Sequence, residues 1–311
     1  MKLSSYLKLD RLEFFLTTHC SGRCRHCSAG GAYAGKDGAH HVPPAAAAEA
    51  VRTLAALYPM QSVMTFGGEP LLYPEVACAI HRTASECGIP MRQLITNGYF
   101  SKDPSRIREV AAMLAEAGVN DVLLSVDAFH QEAIPLEPVR TFAIALREVE
   151  MPRARLQPAW VVNEGFDCPE NTRTREILAS LADTGLPVHS GNDIFLAGNA
   201  AEHLAHYYPL AQVDMSQRCG EMPYTEPLTD VHCLSIEPNG DVTACSFVIG
   251  NLLREPLEVI LAHYDPFADE GMRAAIQGAP GLLALAQKRG LEVDMTRCYS
   301  VCDLCRMVNR N

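Results

Sequence analysis

Residues 12–27, LEFFLTTHCSGRCRHC, decide the fold. The apolar run 12–17 is β-like and passes into a short loop where Cys20, Cys24 and Cys27 form a C-x3-C-x2-C pattern. Three thiolates so close can hold three corners of an iron–sulfur cube, and they offer the fourth corner no cysteine. One iron then stays open to an outside ligand, which makes such a centre a chemical tool rather than a structural staple. A reactive centre directly after a strand suits α/β architectures, whose ligands are handled at the carboxyl ends of parallel strands.

The surrounding sequence agrees. From about residue 11 to 200, β-like runs alternate with Ala-, Leu-, Glu- and Arg-rich stretches of helical length. Strands are expected at 12–17, 62–66, 93–96, 122–126, 156–162 and, with the least regular pattern, 186–190. Pro43 and Pro44 announce one helix, and Asp103 followed by Pro104 is an N-cap with proline in the first turn of another. Such alternation implies right-handed crossovers and a parallel sheet. Six units predict an α/β fold, an open partial (β/α)6 TIM-like barrel. After Asn199 the pattern changes: CLSIEPNGDVTAC, 233–245, reads as a hairpin turning on Asn239–Gly240 with a cysteine ending each arm. Helical stretches follow near 256–264 and 270–289, then CYSVCDLC at 298–305. The expected division is a core over 1–205 and a small C-terminal domain over 206–311.

Composition excludes several classes. The 311 residues carry 26 Lys and Arg against 37 Asp and Glu, a net charge of −11, which argues against a general nucleic-acid or anionic-membrane binder. No apolar stretch approaches the roughly 20 residues that cross a bilayer. The start, MKLSSYLKLDR, lacks a signal peptide's apolar segment, so the expected location is cytoplasmic. Twelve cysteines in a large chain of this kind, most of them clustered, suggest metal ligation rather than disulfides. Cys78, Cys87 and Cys168 stand apart and read as buried small hydrophobes.

Unusual residues recur at the expected strand ends: Gly67–Gly68–Glu69–Pro70 after the second, Asn97–Gly98 after the third, Ser125 and Asp127 at the fourth. Paired glycines let backbone amides approach a ligand, Glu69 can accept from an ammonium group, and the other polar residues can bind a ribose or carboxylate. The cysteine loop, GGEP and Ser125-Val126-Asp127 together resemble the radical S-adenosylmethionine (SAM) superfamily over roughly residues 10–200. The resemblance implies that Cys20, Cys24 and Cys27 bind a [4Fe–4S] cluster whose open iron chelates SAM. Gly67, Gly68 and Glu69 would contact the methionyl moiety, and Asn97, Ser125 and Asp127 would complete the cofactor site. Reductive cleavage of SAM would then give a 5′-deoxyadenosyl radical that abstracts hydrogen from an unactivated C–H bond. Such a radical demands a site that excludes water.

Cys233, Cys245, Cys298, Cys302 and Cys305 form a second set. The last three repeat the x3, x2 spacing, but no GGEP-like element follows, which favours a filled auxiliary cluster over a second SAM site. The hairpin cysteines with the following IGNLLREPLEVI resemble the SPASM and twitch auxiliary-cluster domains over roughly residues 219–311. The short, reversed ending departs from the usual SPASM cysteine run and favours one auxiliary [4Fe–4S] cluster. The twitch likeness implies Cys233, Cys245, Cys302 and Cys305 as ligands, leaving Cys219 and Cys298 over. Either can serve as a ligand instead. Cys219 can alternatively be a free thiol that donates a hydrogen atom to a substrate radical, as in epimerising superfamily members, or an ordinary buried cysteine. Tetrahedral zinc is the competing occupant of this set.

Other candidates are single residues. His130, just past the fourth strand, can bind substrate or move a proton, or simply make a local hydrogen bond. Gln157, Asn163, His189, Asn192, Asp193 and Asn199 can line the pocket, whereas His40 and His41 fall in a polar loop where exposure is the default. The expected activity is that of a radical SAM oxidoreductase or maturase. It would act on a small molecule or a ribosomal peptide, with flavodoxin or ferredoxin as electron donor and neither nucleic acid nor membrane as partner. No extension of recognition-domain length precedes Cys20, which shifts the expectation slightly towards a small molecule. A two-cluster electron carrier or sensor is the alternative, and it would have no need of GGEP.

Overall fold

The computed structural model describes residues 3–30, 41–208, 213–222 and 225–309; His40 lies outside them. Ten strands are found there: β1 Leu7–Phe15, β2 Ser62–Phe66, β3 Met91–Thr96, β4 Asp121–Ser125, β5 Ala154–Gln157, β6 Ala159–Trp160, β7 Asn192–Asp193, β8 Val231–Ile236, β9 Asp241–Ala244 and β10 Phe247–Asn251. The main sheet runs β10-β9-β8-β1-β2-β3-β4-β5, and β6 pairs with β7 separately. From β8 through β5 every pairing is parallel, while β8, β9 and β10 are antiparallel. This is a mixed α/β fold with an open parallel sheet, and the described residues form no closed barrel.

Strand β1 is the organiser. Leu7, Leu9, Leu12 and Phe14 are buried, while Arg11, Glu13 and Phe15 face the other way. The buried row packs in one cluster with the helices Pro44–Leu57 and Pro74–Glu86 and with the helices that follow β10. The C-terminal segment therefore shares sheet and core with the barrel, because β8 pairs with β1 in register, Arg11 opposite Cys233 and Glu13 opposite Ser235. Helix starts follow local chemistry: the Asp103 carboxylate accepts from Ser105 N at 2.9 Å, and prolines occupy first turns at 44, 74, 104 and 169.

Several expectations need correction. The run 156–162 is broken at Pro158, which has no N–H for a ladder, so β5 and β6 belong to different sheets. Residues 186–190 make only a bridge at Val188 to Leu156; the paired segment is β7, beyond a kink at Gly191 where φ is +84°. The stretch 270–289 is two helices, Glu270–Ile276 and Ala279–Lys288, parted at Gly278 with φ +77°. Cys233 lies inside β8 rather than at its end, and Cys245 follows β9 with φ +55°, a conformation uncommon for a residue bearing a β-carbon. Of the isolated cysteines, Cys78 and Cys168 are buried but Cys87 is exposed. Among the described residues no helix is long and apolar enough to cross a membrane.

Phe14 is fully buried between the sheet and its helices. Phe14→Ala should cost roughly 3–5 kcal/mol, read as a lower urea midpoint with an unchanged slope.

Candidate active site

The loops after β1 and β2 extend the strand pairing past the ends of both strands. Leu16 N donates to Phe66 O, Gly68 N to Thr17 O and Glu69 N to His19 O, each at 2.7 Å. Gly67 has φ +138°, and a β-carbon on Gly68 would overlap the His19 carbonyl. The two glycines are thus needed for the approach of one backbone to another, beside the cysteine loop. The Glu69 carboxylate is fully buried and accepts from Leu71 N at 2.8 Å, Thr96 Oγ1 at 2.7 Å and Asn97 N at 2.8 Å, fastening the loop after β3 to the loop after β2. Burial pushes its pKa up to about 7 against these hydrogen bonds.

Cys20, Cys24 and Cys27 lie on the braced loop, with a methyl group on Gly22 falling 3.3 Å from the Cys24 sulfur and 3.6 Å from the Cys20 sulfur. Asn97 Nδ2 donates to Cys20 Sγ at 3.6 Å and to Ser21 Oγ at 3.2 Å. From the far side, Asn199 Nδ2 donates to Cys24 O at 3.1 Å and Asn199 N to Cys27 O at 3.0 Å. Burial raises the Cys20 thiol to about 11 and drives Cys24 higher still, with Asp127 adding to the rise at Cys24.

Asp127 caps the turn Ala128–Gln131. Its carboxylate accepts from Phe129 N and His130 N at 3.0 Å, from His130 Nδ1 at 2.8 Å and from Ala159 N at 3.2 Å. Burial alone would raise its pKa, but His130 and His26 hold it well below the carboxylate range. Burial likewise opposes the charge on His130, yet Asp127 keeps its pKa above the ordinary value. His26 stacks on Phe129 with ring centres 4.9 Å apart, and burial draws its pKa down to about 4. The ligand atoms of Cys24, His26 and His130 lie within 4.8 Å of one another. The sequence reading passed over His26, although its place inside the cysteine loop was the available signal.

Residues 14–157 match the profile described as the Radical SAM superfamily. This stretch is similar to radical SAM domains. The solved structure of native anSMEcpe with bound AdoMet is similar at 12% identity and a TM-score of 0.51, covering 97% of this chain and 95% of that one. BtrN in complex with AdoMet and 2-DOIA is similar at 15% identity and a TM-score of 0.48, covering 88% of this chain and 89% of that one. No curated protein sequence matches the chain. The likeness to anSMEcpe is one of fold.

The radical SAM family implies a [4Fe–4S] cluster and SAM, and the residues present fit both. Three thiols share one loop, and His26 Nδ1, Gln131 Nε2 and Gln157 Oε1 are buried without a hydrogen-bond partner. Orphaned polar atoms in the cysteine loop, on the turn Ala128–Gln131 and at the end of β5 are what a polar cofactor would satisfy. Ser125 ends β4 in register with Gln157. His41 sits against the Tyr73 ring at 4.7 Å, rather than free in solvent.

A cavity of about 1180 Å³ lies between the barrel and the C-terminal elements. Phe66, Trp160, Asn163 and Asp193 border it on the barrel side, and Cys219, Cys233, Cys245, Cys302 and Cys305 also line it. Gln157, His189, Asn192 and Asn199 do not. The five thiols divide. Burial pushes Cys219 and Cys302 up to about 11 and Cys305 up to about 12, and neighbouring thiols add to it: Cys245 and Cys302 beside Cys219, Cys245 beside Cys302, and Cys245, Cys219 and Cys302 beside Cys305. Cys302 and Cys305 stand one helical turn apart on the helix Val301–Asn309. Cys233 instead answers to Glu13, Arg11 and Glu226, with burial pushing it up to about 12. Cys298 is only 1% exposed and its sulfur lies 3.5 Å from Met307 Sδ, inside the core. Cys219 is thus a neighbour of Cys245, Cys302 and Cys305, while Cys233 lines the same cavity from β8 and Cys298 lies in the core.

Two predictions follow from this geometry. Gly68→Ala should displace the cysteine loop, so that anaerobic reconstitution falls short by about four irons per chain. The raised pKa of Glu69 means that its stabilising contribution is complete below about 4.5 and lost as pH rises through about 7. Urea unfolding at both pH values should show wild type losing stability relative to Glu69→Gln on going up in pH.

Proposed function

We propose that this chain is a radical SAM oxidoreductase or maturase in which Cys219, Cys245, Cys302 and Cys305 hold an auxiliary [4Fe–4S] cluster. The observation that carries the reading is the four-thiol group across a large cavity from the strand ends of the radical SAM domain. The division at residues 205 and 206 follows it, with the auxiliary-cluster segment C-terminal and SPASM- or twitch-like. When bound, the first cluster and SAM would supply one-electron cleavage of the sulfonium and a 5′-deoxyadenosyl radical.

The chain's own residues supply position and exclusion. Cys20, Cys24 and Cys27 would hold the SAM-binding cluster, with Asn97 donating to the Cys20 sulfur and Asn199 pinning the loop carbonyls. Glu69 keeps the loops after β2 and β3 together. Gly67 and Gly68 set the backbone against which the methionyl end would lie, with Ser125, Asp127 and the unpartnered Gln157 oxygen further along the strand ends. His26 and Phe129 form a stacked shelf beside Cys24. Phe66, Trp160, Tyr208 and Tyr299 give the cavity apolar walls that limit water. Asp127 holds a proton on His130 Nδ1.

The cavity volume suits either a small molecule or the modified segment of a ribosomal peptide, with flavodoxin or ferredoxin as donor. An electron carrier without SAM chemistry would not need the fully buried Glu69 and its fastened strand-end loops.

Reconstituted protein given SAM and dithionite should release 5′-deoxyadenosine, and Cys24→Ala should release none; release no greater than in that variant, with candidate substrates present, would contradict the reading. Cys302→Ser should lower iron from about eight to about four per chain, whereas zinc in place of the missing iron would replace the auxiliary cluster with a structural metal.

A further inference from the structure

Two N–H groups converge on the sulfur of Cys20. Gly22 N donates to it at 3.3 Å from within the cysteine loop, and Asn97 Nδ2 donates to it at 3.6 Å from the loop after β3. The first is a local contact; the second crosses between strand ends and comes from a residue only 5% exposed. We propose that the Asn97 amide raises the reduction potential of the cluster held by the cysteine loop, through its hydrogen bond to the Cys20 sulfur. The inference rests on the radical SAM reading, which supplies the cluster. It gives Asn97 a part in loading the cluster with an electron, distinct from the contact with SAM expected of its position.

Asn97 is held from three sides. Its backbone N donates to the fully buried Glu69 carboxylate at 2.8 Å, and its Oδ1 accepts from Tyr99 N at 2.8 Å. A backbone N–H can only donate, so the second bond decides which end of the amide is oxygen and turns the NH2 group towards Cys20. That group also donates to Ser21 Oγ at 3.2 Å, so both of its protons find acceptors on the cysteine loop.

A reduced cluster carries one more electron than an oxidised one, and part of that charge sits on the cysteine sulfurs. An N–H dipole aimed at such a sulfur stabilises the reduced form more than the oxidised form, which moves the potential up. Burial of the amide strengthens the effect, because little water competes for the bond. The electron comes singly from a donor of the ferredoxin or flavodoxin class, which is oxidised as the cluster is reduced. A higher potential lets a weaker donor of that class load the cluster.

The test is a dithionite titration of the anaerobically reconstituted full chain without SAM. Electron paramagnetic resonance follows the signal that Cys24→Ala lacks and gives its midpoint potential. Asn97→Ala should keep about eight irons per chain. At the wild-type midpoint its ratio of reduced to oxidised cluster should be roughly tenfold lower, a shift of ~59 mV for a one-electron couple. Asn97→Asp, which replaces the donor by a negative oxygen, should fall at least as far. Ser21→Ala, which leaves the bond to the sulfur in place, should match wild type. Unchanged midpoints in both Asn97 variants would overturn the inference and leave the radical SAM reading standing. An equal drop in Ser21→Ala would also overturn it, by making loop position the cause. A fall to about four irons in both Asn97 variants, with the signal gone, would overturn it by making Asn97 a residue that only holds the loop. A wild type with no signal that Cys24→Ala lacks would remove the reading and the inference together.

Discussion

Two backbone hydrogen bonds beyond the ends of β1 and β2, from Gly68 N to Thr17 O and from Glu69 N to His19 O, hold the cysteine loop to the sheet. They form only because position 68 carries no side chain, since a β-carbon would occupy the place of the His19 carbonyl. With that contact made, the Glu69 carboxylate is buried where it can collect the donors of Thr96, Leu71 and Asn97, and Asn97 in turn reaches the Cys20 sulfur. Glycine, glutamate and asparagine on three successive strand ends thus act as one brace. A buried carboxylate is costly unless its oxygens are satisfied, and here three donors meet it.

Much of this could be read in advance. The C-x3-C-x2-C loop, GGEP and the alternation of apolar runs give the parallel α/β core, and β1 to β4 fall within a few residues of expectation. Where reading failed, a local pattern hid a backbone constraint. Pro158 splits one apolar run into strands of two different sheets, and Gly278 splits one helical run into two helices. Spacing alone left the grouping of the second thiol set open. Strand alternation turns Cys233 towards Arg11 and Glu13, and core packing takes Cys298 away, whereas Cys219 comes in from a segment with no regular pattern. The role of Glu69 was legible only as an acceptor; that its acceptors are taken up by the chain itself depends on how three loops converge.

The C-terminal elements are not an appendage hung on a finished barrel. β8 continues the parallel sheet from β1, and one hydrophobic cluster runs from the first helices to the last. The cavity consequently has a wall from each part of the chain. Arg11 and Glu13 on β1 look into it from one strand, while Cys302 and Cys305 look in from the final helix. A rigid shared sheet is a means of fixing those groups relative to one another, as chemistry on a reactive intermediate requires.

The central claim is that the three-cysteine loop leaves one iron open to SAM. Electron paramagnetic resonance of the anaerobically reduced Cys302→Ser protein, in which the first cluster is the one expected to remain, tests it most directly. Addition of SAM should shift the g-values of the reduced-cluster signal; a signal identical with and without SAM would contradict the account.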